Sequence, residues 1–292
     1  NSLLCFSIIN TDKKKSSSIA MNCRVLIYYH TATGNTGWLT GEIARRLREL
    51  GCDVTLRNIA HQRETSDAGS YEFTGFGCPV MGFRPTFSMT DFIDKLPAQQ
   101  GKAAFIYVTC AGICASSLWI LSQLLGEKGY GVIAAEQFRG EVSWPVARVP
   151  GIIPDKGRPD ARDLQAIMQF SAGIYEAFKR SAKKGPAAQL AVPFAFFNPF
   201  SYLCRANNAA NLRFIMGTKK VDQSRCNRCG LCEKYCGSRA ISLDPWPVFS
   251  DACCGCWGCY SICPQQAIST FIAPKWQYNT KANYLDALAA GD

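Results

Sequence analysis

Histidine is nearly absent from this 292-residue chain, which has two, His30 and His61. No Ser/His/Asp set, paired carboxylates or H-E-x-x-H stands out, so the usual hydrolytic machineries lack their residues. Neither G-x4-G-K-[ST] nor G-x-G-x-x-G occurs, which removes the two commonest backbone cradles for nucleoside triphosphates and dinucleotides. Long apolar runs are also missing. The longest, around 187–200, contains Pro193, Asn198 and Pro199 and falls short of the roughly 20 residues a spanning helix needs, which excludes a polytopic membrane protein. The opening NSLLCFSIIN is too short for a secretory signal, and its basic cluster, Lys13 to Lys15, follows the apolar part instead of preceding it. Residues 1–21 are expected to be a tail, with the first clear strand opening just after.

Acidic residues are in deficit, 22 against 32 Lys and Arg. By count, residues 181–292 hold twelve basic and six acidic side chains, a local charge of +6. No nucleic-acid motif accompanies that charge. It suits compensation of negative metal–thiolate groups or an acidic protein partner, and nucleic acid is not expected as a ligand.

Cysteine is what the chain has in excess, at 16. Residues 226–268 contain a repeat with a shift of 27: CNRCGLCEKYCGSRAI (226–241) aligns with CCGCWGCYSICPQQAI (253–268). Each copy reads C-x2-C-x2-C-x3-C. Three thiolates at that spacing reach three corners of a cubane, and the fourth Cys of the run ligates the other cluster. One [4Fe–4S] cluster is therefore expected on Cys226, Cys229, Cys232 and Cys263, and a second on Cys253, Cys256, Cys259 and Cys236. Zinc sites usually split into two separated knuckles, and disulfides do not explain eight matching positions in a repeat. This half resembles bacterial two-cluster ferredoxins. One position departs from them: Gly237 stands where a Pro usually follows the fourth Cys. Cys254 is extra and reads as a small packing residue.

Upstream, strands and helices alternate. RVLIYY (24–29) is a β-rich apolar run. Leu39, Ile43, Leu47 and Leu50 share one face of a helix that Gly51 closes. Strands are expected at 54–57, 72–75, 103–109 and 131–138, with helices at 90–96, 116–126 and 160–180. The alternation implies an α/β, doubly wound five-stranded parallel sheet, with order 2-1-3-4-5 as the natural FMN-type guess.

Between the first strand and its helix lie Thr31, Ala32, Thr33, Gly34, Asn35 and Thr36. A glycine turn, threonine hydroxyls and a helix N-terminus together grip phosphate without positive side chains. This loop resembles the FMN phosphate loop of flavodoxins. That resemblance implies two further flavin loops at the ends of strands. One lies within 75–85 and includes Pro79, Val80, Met81, Gly82 and Phe83. The other lies within 109–115 and includes Thr109, Cys110, Ala111 and Gly112. Met81, Phe83 or Trp144 are candidates to cover the flavin ring. Cys78, Cys110 and Cys114 on these loops read as inert packers, and His30 as a structural residue at a strand end.

Taken together the chain resembles flavodoxin–ferredoxin fusions of the EFR1-type ferredoxin family. The expected organisation is a tail (1–21), a flavodoxin-like FMN domain (22–184), an aromatic and Pro-rich connecting segment (185–222), a small α+β two-cluster ferredoxin-like domain (223–272) and a second tail (273–292). Phe194, Phe196, Phe197, Phe200 and Tyr202 are too many aromatics for a solvated linker, so the connecting segment is expected to pack on the flavodoxin-like domain or between domains, holding a cluster near the flavin, with a membrane-surface or partner-docking role as the alternative. FMN exchanges electrons in pairs or singly and each cluster carries one. The implied function is a cytoplasmic electron carrier that relays electrons between FMN and two [4Fe–4S] clusters and exchanges them with a redox partner protein, for example an acidic ferredoxin, a reductase or an oxidase. A flavin-dependent reductase fed by the clusters and a redox-sensing module are the alternatives. No catalytic residue, oligomeric state or electron direction follows from the residues.

Overall fold

The computed structural model describes residues 23–145, 155–184 and 190–273. The expected N-terminal tail, residues 185–189 of the connecting segment and residues 274–292 of the expected C-terminal tail lie outside the described residues.

The first part is a sheet with helices on both faces. Its strands are β1 (Arg24–Tyr29), β2 (Asp53–Asn58), β3 (Phe73–Met81), β4 (Arg84–Pro85), β5 (Lys102–Cys110) and β6 (Tyr130–Arg139). Five of them run parallel in the order β2-β1-β3-β5-β6, and β4 pairs antiparallel with the end of β3. The sheet is thus six-stranded, not five-stranded, because the chain doubles back at Gly82 and Phe83, both with positive φ. Side chains alternate across the pleat with period two. Leu26, Tyr28, Phe76, Ile106 and Val108 meet α2 (Phe87–Asp94) and α3 (Ser117–Glu127) through Met89, Phe92, Ile93, Leu121 and Leu125. Val25, Ile27, Phe73, Phe105 and Tyr107 meet α1 (Asn35–Glu49) and α4 (Ala161–Lys184) through Leu39, Ile43, Leu47, Ile167, Phe170 and Ile174. Each fully buried side chain of this size contributes roughly 1.5–3 kcal/mol.

The third strand corrects the sequence reading most. It runs nine residues, to Met81, so Phe76 to Met81 are strand and not loop. Its glycines hid it. A Cβ at Gly75 would lie 2.3 Å from the Phe105 ring, and one at Gly77 would lie 2.1 Å from the Tyr107 ring. Two aromatic rings of β5 lie across β3, and only glycine leaves them room. The second helix also starts earlier than expected, at Phe87.

The connecting segment packs on the sheet domain. Ala195 N–H donates to Ser116 Oγ at 3.1 Å, Phe194 meets Trp119 edge-on at 5.2 Å, and Phe83 packs on Phe200 at 4.4 Å. Two short helices follow, α5 (Phe200–Ala206) and α6 (Ala209–Met216). Asn207 donates its side-chain amide to the Gly82 carbonyl at 2.7 Å. Phe196, Phe197 and Tyr202, by contrast, stay largely exposed.

The cysteine repeat is framed by β7 (Lys219–Val221) paired antiparallel with β10 (Ile268–Thr270). Between them lie α7 (Leu231–Lys234), the antiparallel pair β8 (Ile241–Leu243) and β9 (Pro247–Phe249), and α8 (Gly258–Ile262). Met216, Trp257, Tyr260 and Ile268 form its small core. Among the described residues no helix is long and apolar enough to cross a membrane.

Candidate functional site

Parallel strands open their carboxyl ends into a crevice where the strand order reverses. Here that crevice is a hollow of about 420 Å³. Thr31, Ala32, Thr33, Asn35 and Thr36 line it from the β1–α1 loop, Pro79, Val80 and Met81 from the end of β3, and Thr109, Cys110 and Ala111 from the end of β5. Residues 140–144, after β6, close it.

The loop after β1 is held by its own side chains. Gly34 caps α1 with φ 95°, a conformation that favours glycine, and its N–H donates to Thr31 Oγ1 at 3.1 Å. Thr36 and Thr109 hydroxyls bond at 2.7 Å, tying the loop to β5. Asn35 Nδ2 donates to the Glu141 carbonyl at 3.1 Å, tying it to the segment after β6. Among the described residues no Lys or Arg lines the hollow, and the acidic Glu141 accepts from Gly157 N–H at 2.7 Å. An anion placed here meets first-turn N–H groups and neutral hydroxyls, the arrangement suited to a phosphate.

Four residues expected at this site do not line the hollow. Gly34 shapes the loop from behind. Gly82 and Phe83 turn away, with a Cβ at Gly82 lying 2.7 Å from Leu212 and the Phe83 ring resting on Phe200. Gly112 stands on the outer side of its loop, beside Arg139. Residues 140–143 were missed. Their signal was positional: they follow the last parallel strand, whose carboxyl end opens into the same crevice. Cys110 is disulfide-bonded to Cys114, and Cys23 to Cys52. Cys78 is buried, and burial pushes its thiol up to about 12.

The eight repeat cysteines line two separate hollows of about 350 Å³ each. Cys226, Cys229, Cys232 and Cys263 line one, and Cys236, Cys253, Cys256 and Cys259 the other. Each hollow thus takes three cysteines from one copy and the last from the other. The two copies repeat the same backbone. Positive φ recurs at Arg228 and Gly255 (59° and 69°), at Gly230 and Trp257 (76° and 62°), and at Arg239 and Gln266 (51° and 49°), each pair separated by 27 residues. Sulfur-directed donors recur as well. Ala240 N–H reaches Cys236 Sγ at 3.2 Å and Ala267 N–H reaches Cys263 Sγ at 3.3 Å, again one repeat apart. Lys219 Nζ lies 3.2 Å from Cys253 Sγ. Such donors favour thiolate over thiol. Against them, burial pushes Cys232 up to about 11 and raises Cys259 further, so a positively charged group entering the hollows must displace protons. Cys254 lines the second hollow, hydrogen-bonded to Cys256.

Both histidines sit where the two parts of the chain meet. His30 is fully buried at the end of β1, with Nδ1 3.0 Å from Ser88 Oγ. Burial, with the Arg63 charge added, pushes its pKa down to about 4, so it is neutral at pH 7. The His61 ring meets Tyr235 edge-on at 5.8 Å.

Residues 219–242 match the family described as the 4Fe-4S binding domain. That match spans the first cysteine copy and well under half of the chain. Among solved structures, an archaeal flavodoxin is similar over 53% of this chain and 99% of its own, at 16% identity and a TM-score of 0.42. Flavodoxin 1 from Bacillus cereus is similar over 52% of this chain and 97% of its own, at 18% identity and a TM-score of 0.40. Rubredoxin oxygen:oxidoreductase from Desulfovibrio gigas is similar over 55% of this chain and 37% of its own, at 17% identity and a TM-score of 0.43.

Proposed function

We propose that this chain is an electron carrier that holds FMN in the strand-end hollow and two [4Fe–4S] clusters in the cysteine-lined hollows. The observation that carries the reading is the sorting of the eight repeat cysteines into two sets of four, each drawn from both copies. A single-site metal knuckle gives no reason for that exchange of the last ligand, whereas paired cubanes require it. Cys226, Cys229, Cys232 and Cys263 would hold one cluster, and Cys253, Cys256, Cys259 and Cys236 the other.

Thr31, Thr33 and Thr36, with the first turn of α1, would hold the FMN phosphate. Pro79, Val80, Met81, Thr109, Cys110 and Ala111 would border the ring. When bound, FMN supplies the step between paired and single electrons. The protein's own part is to fix the phosphate with uncharged donors, to exclude water with Met81 and Trp144, and to keep sulfurs supplied with N–H donors. Among the described residues that line the hollow, Glu141 is the one with an acid–base side chain, and it is already engaged by Gly157, which favours a carrier over a reductase with its own acid or base.

The basic final third supports exchange with an acidic redox protein, in the manner of the flavodoxin–ferredoxin fusions the chain resembles. A cytoplasmic setting fits cluster assembly, and the Cys23–Cys52 and Cys110–Cys114 pairs would stand reduced there. Anaerobic purification followed by flavin, iron and sulfide analysis tests the reading. One flavin with two four-iron clusters per chain supports it, and zinc in place of iron refutes it.

A further inference from the structure

The residue after the fourth cysteine differs between the two copies: Gly237 in the first, Pro264 in the second. The turns are otherwise alike, with Arg239 and Gln266 both left-handed at 51° and 49°. Their surroundings differ. Pro264 is exposed, and Gly237 is buried against the sheet domain. A Cβ at Gly237 would lie 2.3 Å from His30 Nε2, 2.7 Å from Cδ2 and 3.0 Å from Cε1. His30 cannot easily give way, since its Nδ1 faces Ser88 and Thr86 hydroxyls at 3.0 and 3.3 Å. Its Nε2 has no hydrogen-bond partner among the described residues and is packed against the glycine. Arg63 completes the seat. Its Nε donates to the Ile59 carbonyl at 2.6 Å, and its guanidinium donates to the Gly237 carbonyl.

We propose that Gly237 is the docking seat of the cysteine module on His30, and that this seat makes the cluster of Cys236, Cys253, Cys256 and Cys259 the inner one, exchanging electrons with the strand-end hollow. The inference rests on the proposed FMN and cluster assignment. Two further contacts point the same way. Ala32, which lines the hollow, lies 3.4 Å from a Cβ placed on Gly258, between Cys256 and Cys259. Trp144, also lining the hollow, packs against the module's core. The other set faces outward: Cys229 is exposed, as are Asn227 and Arg228 beside it. The outer cluster is therefore the one a one-electron donor protein meets. Each transfer moves a single electron. With both groups bound, the residues of this seat would let the inner cluster lose one electron for each one the flavin gains, two such transfers with protons from solvent would complete the flavin's reduction, and no bond to the protein would form or break.

Gly237→Ala forces the turn away from His30, and His30→Ala removes the obstacle. Holo-protein of each variant and of the double variant is mixed anaerobically with a pre-reduced ferredoxin as the one-electron donor, and cluster and flavin bleaching are followed separately. Gly237→Ala is expected to slow flavin reduction at least about tenfold, the scale of an ångström-level misplacement, with iron and flavin contents unchanged. The double variant recovers the wild-type rate to within about twofold. Hydrogen exchange at 59–63 and 235–239 rises in Gly237→Ala and falls again in the double variant. Pro264→Ala changes neither readout. Should Gly237→Ala fail to take up iron, Arg63→Ala, which touches the same carbonyl from the sheet side, carries the test with the same expected slowing. Wild-type flavin reduction in Gly237→Ala or Arg63→Ala, or no recovery in the double variant, overturns the seat. Wild-type protein lacking flavin or clusters refutes the cofactor assignment instead.

Discussion

Asn35 offers the sharpest handle on the strand-end hollow. Its side chain is buried, and it carries a hydrogen bond that ties the loop after β1 to the segment after β6, Nδ2 to the Glu141 carbonyl at 3.1 Å. Gly140 packs on the same side chain, since a Cβ there would lie 3.4 Å from Nδ2. Asn35→Ala removes the donor to that carbonyl and loosens both walls. The loss of one such bond in a buried site costs about 1–3 kcal/mol, which corresponds to FMN binding weakened roughly 5- to 150-fold. Asn35→Asp keeps the volume but turns a donor into an acceptor facing a carbonyl, and sets a negative charge at the helix end meant for a phosphate, so its loss falls at the upper end of that range. The assay is titration of deflavinated protein with FMN, followed by flavin fluorescence, with riboflavin in parallel. If Asn35 acts through the phosphate grip, both variants narrow the preference for FMN over riboflavin. Wild-type affinity for FMN in both variants would refute the assignment of this loop as a phosphate site.

Other outcomes follow from the same geometry. Cys236→Ser is expected to alter the EPR signal of the cluster held by Cys253, Cys256 and Cys259 and to spare the one held by its own loop neighbours; the opposite pattern contradicts the crossed ligation. Gly77→Ala should destabilise the sheet domain by about 1–3 kcal/mol in urea unfolding, because its Cβ meets a Tyr107 ring whose hydroxyl is anchored to Thr40 at 2.6 Å, and a neutral change would mean the ring can move aside. NADH and NADPH should bleach the flavin slowly or not at all in stopped-flow mixing, whereas reduction by an acidic ferredoxin should be fast at low salt and slow as salt screens the basic final third. Fast bleaching by either nucleotide alone would replace the carrier reading with that of a reductase.

What the residues revealed and what they hid have separable causes. β1 lies where RVLIYY predicts, because a continuous β-branched and aromatic run has one good use in a parallel sheet. The expected exchange of the fourth cysteine between copies was read from spacing, which limits the sulfurs a short loop can bring together, and the two cysteine-lined hollows group the sulfurs in the same way. The full length of β3 was hidden by Gly75 and Gly77, whose role is set by Phe105 and Tyr107, some thirty residues away. Phe83 looked like a flavin cover because its place in the chain fits. Its left-handed backbone (φ 65°) and the arrival of Phe200 send it elsewhere, and no local pattern announces either. Gly237 was visible as an oddity, and its reason appears only when His30, two hundred residues earlier, stands against it.

The central claim is that one chain holds a flavin and two four-iron clusters. Its most direct test is metal, sulfide and flavin analysis of anaerobically purified, fully reconstituted protein, with protein quantified by amino-acid analysis. The account predicts about eight irons, about eight acid-labile sulfides and one non-covalent FMN per chain. Iron levelling off near four, or zinc filling the cysteine hollows, would contradict it.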